Sequence, residues 1–273
     1  MRPTVGDVAQ IVAAIAPPRL AEEWDNVGLQ AGRMDWPVQT IWVALDPTPN
    51  VMHAACQAGA DLLITHHPLI FKPLSCVDTS TPEGQVIAQA VLHQTAVFSA
   101  HTNLDSARAG LNDLLARKIG LTGLSVLVPC ANPSDAAAAP TDGLGRIGAL
   151  DEETTLAGLA DRIKNVLALP SVKIAGRTNQ PVRTVAVCTG SGGSLLADFL
   201  SSAADVYVTG DLGYHHGRAI EAMDRGAIDI GHFASEHLIV AELARRLRQH
   251  LARSDADATV TSCTFEKDPF TQV

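Results

Sequence analysis

The chain has 273 residues, 47% of them hydrophobic and 18% charged, with a formal net charge of −9. That length suits one large domain or two modest ones. The acidic balance argues against a general affinity for nucleic acid, which needs a basic face. Two clusters of cations, Lys173, Arg177, Arg183 and Arg245, Arg246, Arg248, read as solvated surface. Aromatics make up only 4%, so the core is built from Ala, Val, Leu and Ile. The five cysteines, Cys56, Cys76, Cys130, Cys188 and Cys263, are scattered, with no C-x-x-C. They argue against a disulfide framework or a thiolate zinc site and imply a reducing compartment. The first residues hold no apolar core of signal-peptide type, and no apolar run reaches the roughly 18 residues of a membrane helix. The expectation is a cytoplasmic α/β protein with no membrane partner.

Thr4 to Ile15 has helical spacing, with Val5, Val8, Ile11, Val12 and Ile15 on one face, Thr4 as N-cap and Pro17-Pro18 as the stop. Residues 21–30 read as a loop containing Trp24-Asp25-Asn26. Thr40 to Leu45 is a strand ending in Asp46-Pro47, and Asn50 to Ala58 a helix closed by Gly59. Leu62 to Thr65 is a short apolar strand that runs into His66-His67-Pro68. Pro82 to Gln94 is a helix, Ala96 to Ala100 a strand that ends in His101-Thr-Asn-Leu-Asp105, and Gly110 to Ile119 a helix. This β-α-β-α-β-α order predicts a parallel sheet with right-handed crossovers. Ala131 to Pro140 reads as a linker.

A second run follows: a helix over Thr155–Leu169, a strand over Thr184–Thr189, the glycine-rich Gly190-Ser-Gly-Gly-Ser194, and a helix over Leu195–Ala203. Then come a strand over Asp205–Thr209 leading to Gly210-Asp211, a helix around His216–Arg225, and a strand over Ala227–Ile230 that ends in Gly231-His232-Phe-Ala-Ser-Glu236. A helix over Leu238–Arg253 and a strand over Thr259–Phe265 close the chain. The glycine-rich stretch lacks the Gly-Lys-Ser/Thr of a P-loop and reads as a tight turn.

The two runs can be superimposed. Thr40 to Asp61 and Thr184 to Asp205 have the same length, and each ends in Ala-Asp before a strand. His101-x-x-x-Asp105 matches His232-x-x-x-Glu236. The fold class expected is α/β: two similar three-layer α/β/α domains from an internal duplication, over residues 1–126 and 127–273. His66-His67 alone could be a capped strand end, Asp105 a helix N-cap and Glu236 a first-turn helix acid. If the halves face each other, however, His66, His67, Asp105, His232 and Glu236 converge, with His101 as a sixth nearby group. One metal takes three or four protein ligands. Five or six with two carboxylates suit two ions with open positions for water. His101 is left as a second-shell donor or proton shuttle, a catalytic candidate. His215-His216 lies past its strand end and reads as rim or structural.

Trp24-Asp-Asn-Val-Gly28, Thr65-His-His-Pro68, His101-Thr-Asn-Leu-Asp105, Gly143-x-Gly-Arg-Ile-Gly148, Gly231-His-x-x-Ser-Glu236 and Asp268-Pro-Phe270 together resemble the motifs of the interacting-factor-three-like family. These are dinuclear metal-centre, ring-forming proteins often labelled GTP cyclohydrolase I type 2 homologues. The resemblance spans nearly the whole chain. It implies two linked α/β domains with a two-metal site between them, the five ligands above, and a toroidal homo-hexamer. Many members carry an inserted domain between the halves, and this chain resembles the compact ones. The histidine-rich, thiolate-free donor set suits Zn, Fe, Mn or Co. Two readings of function follow: a metal-dependent hydrolase, GTP cyclohydrolase-like, acting on a small molecule; or a non-enzymatic metal-binding, metal-delivery or regulatory ring.

Overall fold

A computed structural model describes residues 2–130, 141–254 and 256–271. The linker expected over Ala131–Pro140 lies outside the described residues. In chain order the elements are α1 (Val5–Ile15), β1 (Gly28–Ala31), β2 (Thr40–Ala44), α2 (Pro49–Gln57), β3 (Leu62–Thr65), α3 (Pro82–His93), β4 (Ala96–Ser99) and α4 (Thr102–Ser106). Then come α5 (Leu111–Lys118), β5 (Leu121–Pro129), β6 (Gly143–Thr155), α6 (Leu156–Leu167), β7 (Lys173–Ala175), β8 (Pro181–Ser191) and α7 (Leu196–Ser201). The last are β9 (Val206–Gly210), α8 (Tyr214–Ala222), β10 (Gly226–Asp229), α9 (His232–Glu236), α10 (Leu238–Arg253) and β11 (Thr259–Ser262).

The chain divides into two units, Met1–Leu104 with Ile239–Pro269, and Asp105–Leu238 with Phe270–Val273. The division expected from the sequence fell at 126/127 instead. The reason is pairing: β11 lies parallel to β2 in the first sheet, and Arg248 of α10 donates to the Val260 carbonyl of β11 at 2.8 and 3.0 Å. The sequence could not show which sheet the last strand joins.

The first unit holds a five-stranded sheet of order β1-β4-β3-β2-β11. β2, β3, β4 and β11 are parallel; β1 runs antiparallel at the edge. On one face Ala44, Leu63 and Val97 pack with Val51 and Met52 of α2 and Val86 and Ala90 of α3. The alternate residues Ile41, Val43, Leu62, Ile64 and Ala96 are also buried, so the sheet is covered on both faces. α1 starts at a capping box: Asp7 N–H donates to Thr4 Oγ1 and the Asp7 carboxylate accepts from Thr4 N–H. β1 was expected to be loop; its four residues are all half-buried and show no alternation to betray a strand.

The second unit holds a six-stranded sheet of order β5-β6-β8-β9-β10-β7. Val185, Val187, Val206, Val208 and Ile228 face α5 and α6. Their neighbours Ala186, Cys188, Tyr207 and Ala227 face the other way, where Phe199 of α7 and Ile220 of α8 cover them. Alternation with helices on both sides makes three layers. The antiparallel strands β5, β6 and β7 were not expected. β5 and β7 are sheet edges with mostly exposed or half-buried residues, so neither carries the apolar run by which the parallel strands announce themselves.

The two sheets share a local frame. The Asp61 carboxylate accepts from the amides of Gln39 and Thr40; the Asp205 carboxylate accepts from those of Arg183 and Thr184. β2 and β3 pair Ile41 with Leu62, as β8 and β9 pair Val185 with Val206. Leu62 is level with Ala96, and Val206 with Gly226. Counting on from those residues, α4 and α9 start at the same point and have the same length. His101 then falls one position before α4, level with Gly231, whereas His232 opens α9. The H-x-x-x-D/E match read from sequence is therefore displaced by one residue from the strand frame, and His101 is not the equivalent of His232.

Candidate metal centre

β3 delivers its histidines by pairing to the last rung. His66 N–H donates to Ala44 O and His67 N–H to Leu45 O, while Thr65 Oγ1 turns back onto His67 O at 2.7 Å. His66 is buried and its Nδ1 lies 2.9 Å from the carbonyl oxygen of Ala100. A carbonyl can only accept, so Nδ1 carries the proton and Nε2 the lone pair. His67 Nδ1 meets Asp46 Oδ1 at 2.7 Å, and His101 Nδ1 meets Asp25 Oδ1 at 2.9 Å. Each of the three rings is thus oriented through Nδ1, which makes Nε2 the atom that could ligate a metal in His66 and His67 or take a proton in His101. His66, His67 and His101 offer ligand atoms that all lie within 4.8 Å of one another.

Asp25 is the hub of the first unit's cluster. Besides His101, its carboxylate accepts from Thr102 N–H at 3.0 Å and from Thr102 Oγ1. Burial opposes its charge, but the hydrogen bonds from His101 and Thr102 outweigh burial and bring the carboxyl down to about 2. It is a permanent anion that holds His101 and starts α4. Asp46 is held in turn by Glu266, whose carboxylate accepts from the amides of Leu45 and Asp46 at 2.9–3.0 Å.

In the second unit Asp105 lies inside α4 and is not the N-cap that its sequence position also allowed. Asn112 Nδ2 donates to its backbone carbonyl at 3.1 Å, and Thr189 Oγ1 to its carboxylate at 3.4 Å. The turn after α4 is pinned by Arg146, which is buried, pairs with buried Asp113 at 2.6 Å and donates to the carbonyls of Ser106, Ala107, Gly143 and Gly145. A cation there also suits the negative end of the helix.

His232 Nδ1 meets Asp211 Oδ2 at 2.8 Å, so it too is oriented by a carboxylate. Its Nε2 lies 3.0 Å from Glu236 Oε2. Ligand bonds of about 2.1 Å at roughly 90–110° place adjacent donor atoms about 3.0–3.4 Å apart, so this pair is spaced as two ligands of one ion. Gly190, one residue before the end of β8, has φ +65, and a Cβ there would run into the Glu236 carboxylate and reach His232 Cε1 at 3.4 Å. Thr189 and Gly190 thus bring one carboxylate each to consecutive residues. Cys188 precedes them; burial first, then the charge of Asp105, pushes its thiol up to about 12, so it is no thiolate ligand. No disulfide forms among the described cysteines.

The donor chemistry fits divalent metal: imidazoles anchored through Nδ1 by carboxylate or carbonyl are the usual form of metal-binding histidine. The orienting groups Asp25, Asp46, Asp211, Asn112 and Arg146 escaped the sequence reading. Asp211 alone had a signal, since Gly210-Asp211 takes the frame position of His66-His67. His216 is structural: its Nδ1 accepts from Gly213 N–H at the start of α8. The glycine-rich stretch, read from sequence as a tight turn, instead finishes β8 with Gly190-Ser191 and continues as a 3-10 helix over Gly192–Leu195. Lys173, Arg177, Arg245 and Arg246 pair with Asp229, Asp224 and Glu242. No helix among the described residues is long and apolar enough to cross a membrane.

Comparison with known proteins matches residues 3–269 to the family described as Duf34/NIF3 (NGG1p interacting factor 3). A Clostridium perfringens protein named GTP cyclohydrolase 1 type 2 homolog is 34% identical over 266 residues, covering 97% of this chain and 98% of the relative. A Bacillus cereus protein related to NIF3 superposes with a TM-score of 0.92 at 26% identity, over 100% of this chain and 99% of its own. A Staphylococcus aureus hypothetical protein gives 0.91 at 28%, over the full length of both. The chain belongs to the Duf34/NIF3 (NGG1p interacting factor 3) family.

Proposed function

We propose that His66, His67, Asp105, His232 and Glu236 hold two divalent ions as one centre, and that the protein is a metal-dependent hydrolase of GTP cyclohydrolase type. The observation that carries this is the anchoring of His66, His67 and His232 through Nδ1, with a carboxylate spaced as a co-ligand of His232. Bound there, Zn, Fe, Mn or Co supplies Lewis acidity toward a carbonyl, imine or phosphoryl oxygen and makes water acidic enough to attack near neutral pH. His101, with its Nδ1 proton fixed on Asp25, takes and returns a proton at Nε2. A purine substrate is supported by the names of the relatives, and assembly into a homo-hexamer by the family resemblance.

Elemental analysis of protein purified without chelator is expected to find two transition-metal ions per chain, and light scattering six chains per particle. A nucleotide panel is expected to show turnover of GTP that falls at least about 100-fold in His66→Ala, the scale of losing one ligand and its general charge stabilisation. Equal activity in the two proteins would sink the hydrolase reading. Full metal loading without turnover of any nucleotide or phosphoester would favour the metal-binding ring instead.

A further inference from the structure

The tripeptide Trp24-Asp25-Asn26 has a division of labour that neither the sequence pattern nor the metal centre explains. Asp25 points inward, its side chain fully buried against His101 and Thr102. Asn26 reaches sideways: its Nδ2 donates to Ile70 O at 2.6 Å, and Gln30 completes the bracket by accepting from Ile70 N–H at 3.2 Å. Those bonds fix the next residue, Phe71, beside Trp24. The two rings meet at 5.7 Å between centroids and 62° between planes, and both are about half exposed, at 57% for Trp24 and 49% for Phe71. His101 completes the corner, 6.2 Å from Trp24 and 6.5 Å from Phe71. Its other side faces His66 and His67, with centroids at 5.2 and 5.5 Å.

Two large aromatic rings held open to water, braced from both sides by buried or backbone hydrogen bonds, lie one imidazole away from the ligand histidines. Their planes are tilted, so they form a corner and do not stack on each other. Such a corner offers a π-face and an edge to a third flat ring. We propose that Trp24 and Phe71 are the ring-binding wall of the site and that the substrate is a planar heteroaromatic base, seated on Trp24 with its edge toward His101. The proposal rests on the reading of the imidazole cluster as the reaction centre, and it assigns recognition to residues that bind no metal. Base stacking of this kind tolerates different bases, so specificity between purines must come from elsewhere.

Equilibrium dialysis of guanosine and of ribose against the full-length, metal-loaded protein tests it, with metal content measured on the same samples. Guanosine is expected to bind saturably and ribose not. Trp24→Ala and Phe71→Ala are each expected to weaken guanosine by about tenfold, the usual effect of removing one stacking partner. Trp24→Phe is expected to recover most of the loss, and all three variants to keep their metal, which also reports that the cluster is folded. Absence of saturable guanosine binding, ribose binding as tightly as guanosine, or unchanged affinity in Trp24→Ala would each overturn the proposal. A change of particle mass in Trp24→Ala without loss of guanosine binding would also overturn it, because the wall would then be a subunit contact. A protein that takes up no metal on loading yet keeps ring-dependent binding would instead remove the hydrolase reading and leave the wall standing.

Discussion

Gly190 shows how much of the site depends on one residue having no side chain. Its φ of +65 lies in the left-handed region, and the place of its missing Cβ is taken by the Glu236 carboxylate. Gly190→Ala therefore incurs backbone strain and pushes on a carboxylate that is itself buried. The expected cost is about 1–3 kcal/mol by denaturant unfolding, together with loss of metal from the His232–Glu236 pair by elemental analysis. Unchanged metal content in the variant would mean that Glu236 is not a ligand. Ligand types such as His66 or Glu236 are conspicuous in a sequence because few other residues do their chemistry. The residues that aim them are not. Asp25, Asp46 and Asp211 look like ordinary turn aspartates until the strands bring each within 2.7–2.9 Å of an imidazole.

At the scale of elements, the helices and parallel strands were legible because each satisfies its own pattern. Thr4, Thr48, Thr81 and Thr155 accept from amides at the starts of α1, α2, α3 and α6, and caps of this kind are local. α10 illustrates a surface detail with a measurable pH signature. Glu242 accepts from Arg245 at 2.7 Å and from Arg246 at 2.6 Å. The hydrogen bond from Arg245, against burial and with help from Arg246, holds the Glu242 carboxyl at about 2. A carboxyl depressed in the fold stabilises above its unfolded pKa of about 4.3, and that contribution is lost as pH falls from about 4.3 to about 2. Solvent screening at the exposed Arg245 limits it to less than about 1 kcal/mol. Glu242→Gln should be slightly less stable than the wild type at pH 7, with the difference shrinking as pH falls through about 2; a difference undiminished in acid would show that the carboxylate's charge is not the cause.

For the whole molecule, the decisive fact is that the C-terminal segment belongs to the first unit. β11 pairs with β2, and Glu266 secures the amides of Leu45 and Asp46, the residue that orients His67. Ending the chain after Ser254 would expose the edge of β2, remove Glu266 and leave Arg248 without the Val260 carbonyl. Limited proteolysis of that truncated chain is expected to cut first within residues 2–104, while the second unit, whose sheet and both helical layers lie within 105–238, resists. Equal resistance of the two units would contradict the dependence of the first sheet on its last strand. The same logic explains why the edge strands β5 and β7 went unseen: edge strands owe their conformation to a neighbour, not to an apolar run of their own.

By itself the sequence determined the α/β class, the parallel strands that end in histidines, the helix starts and the five ligand candidates. Those follow from apolar periodicity, turn chemistry and residue types whose function is intrinsic. Only the tertiary structure decided which sheet receives the last strand, since strand pairing between Thr40 and Thr259 leaves no trace in either segment. It decided which aspartate holds which imidazole, because a hydrogen bond to Nδ1 depends on where two loops end. It also set His101 one residue out of step with His232, which the matching spacings had concealed. A spacing counts residues, whereas a ligand's position is fixed by the strand register that precedes it.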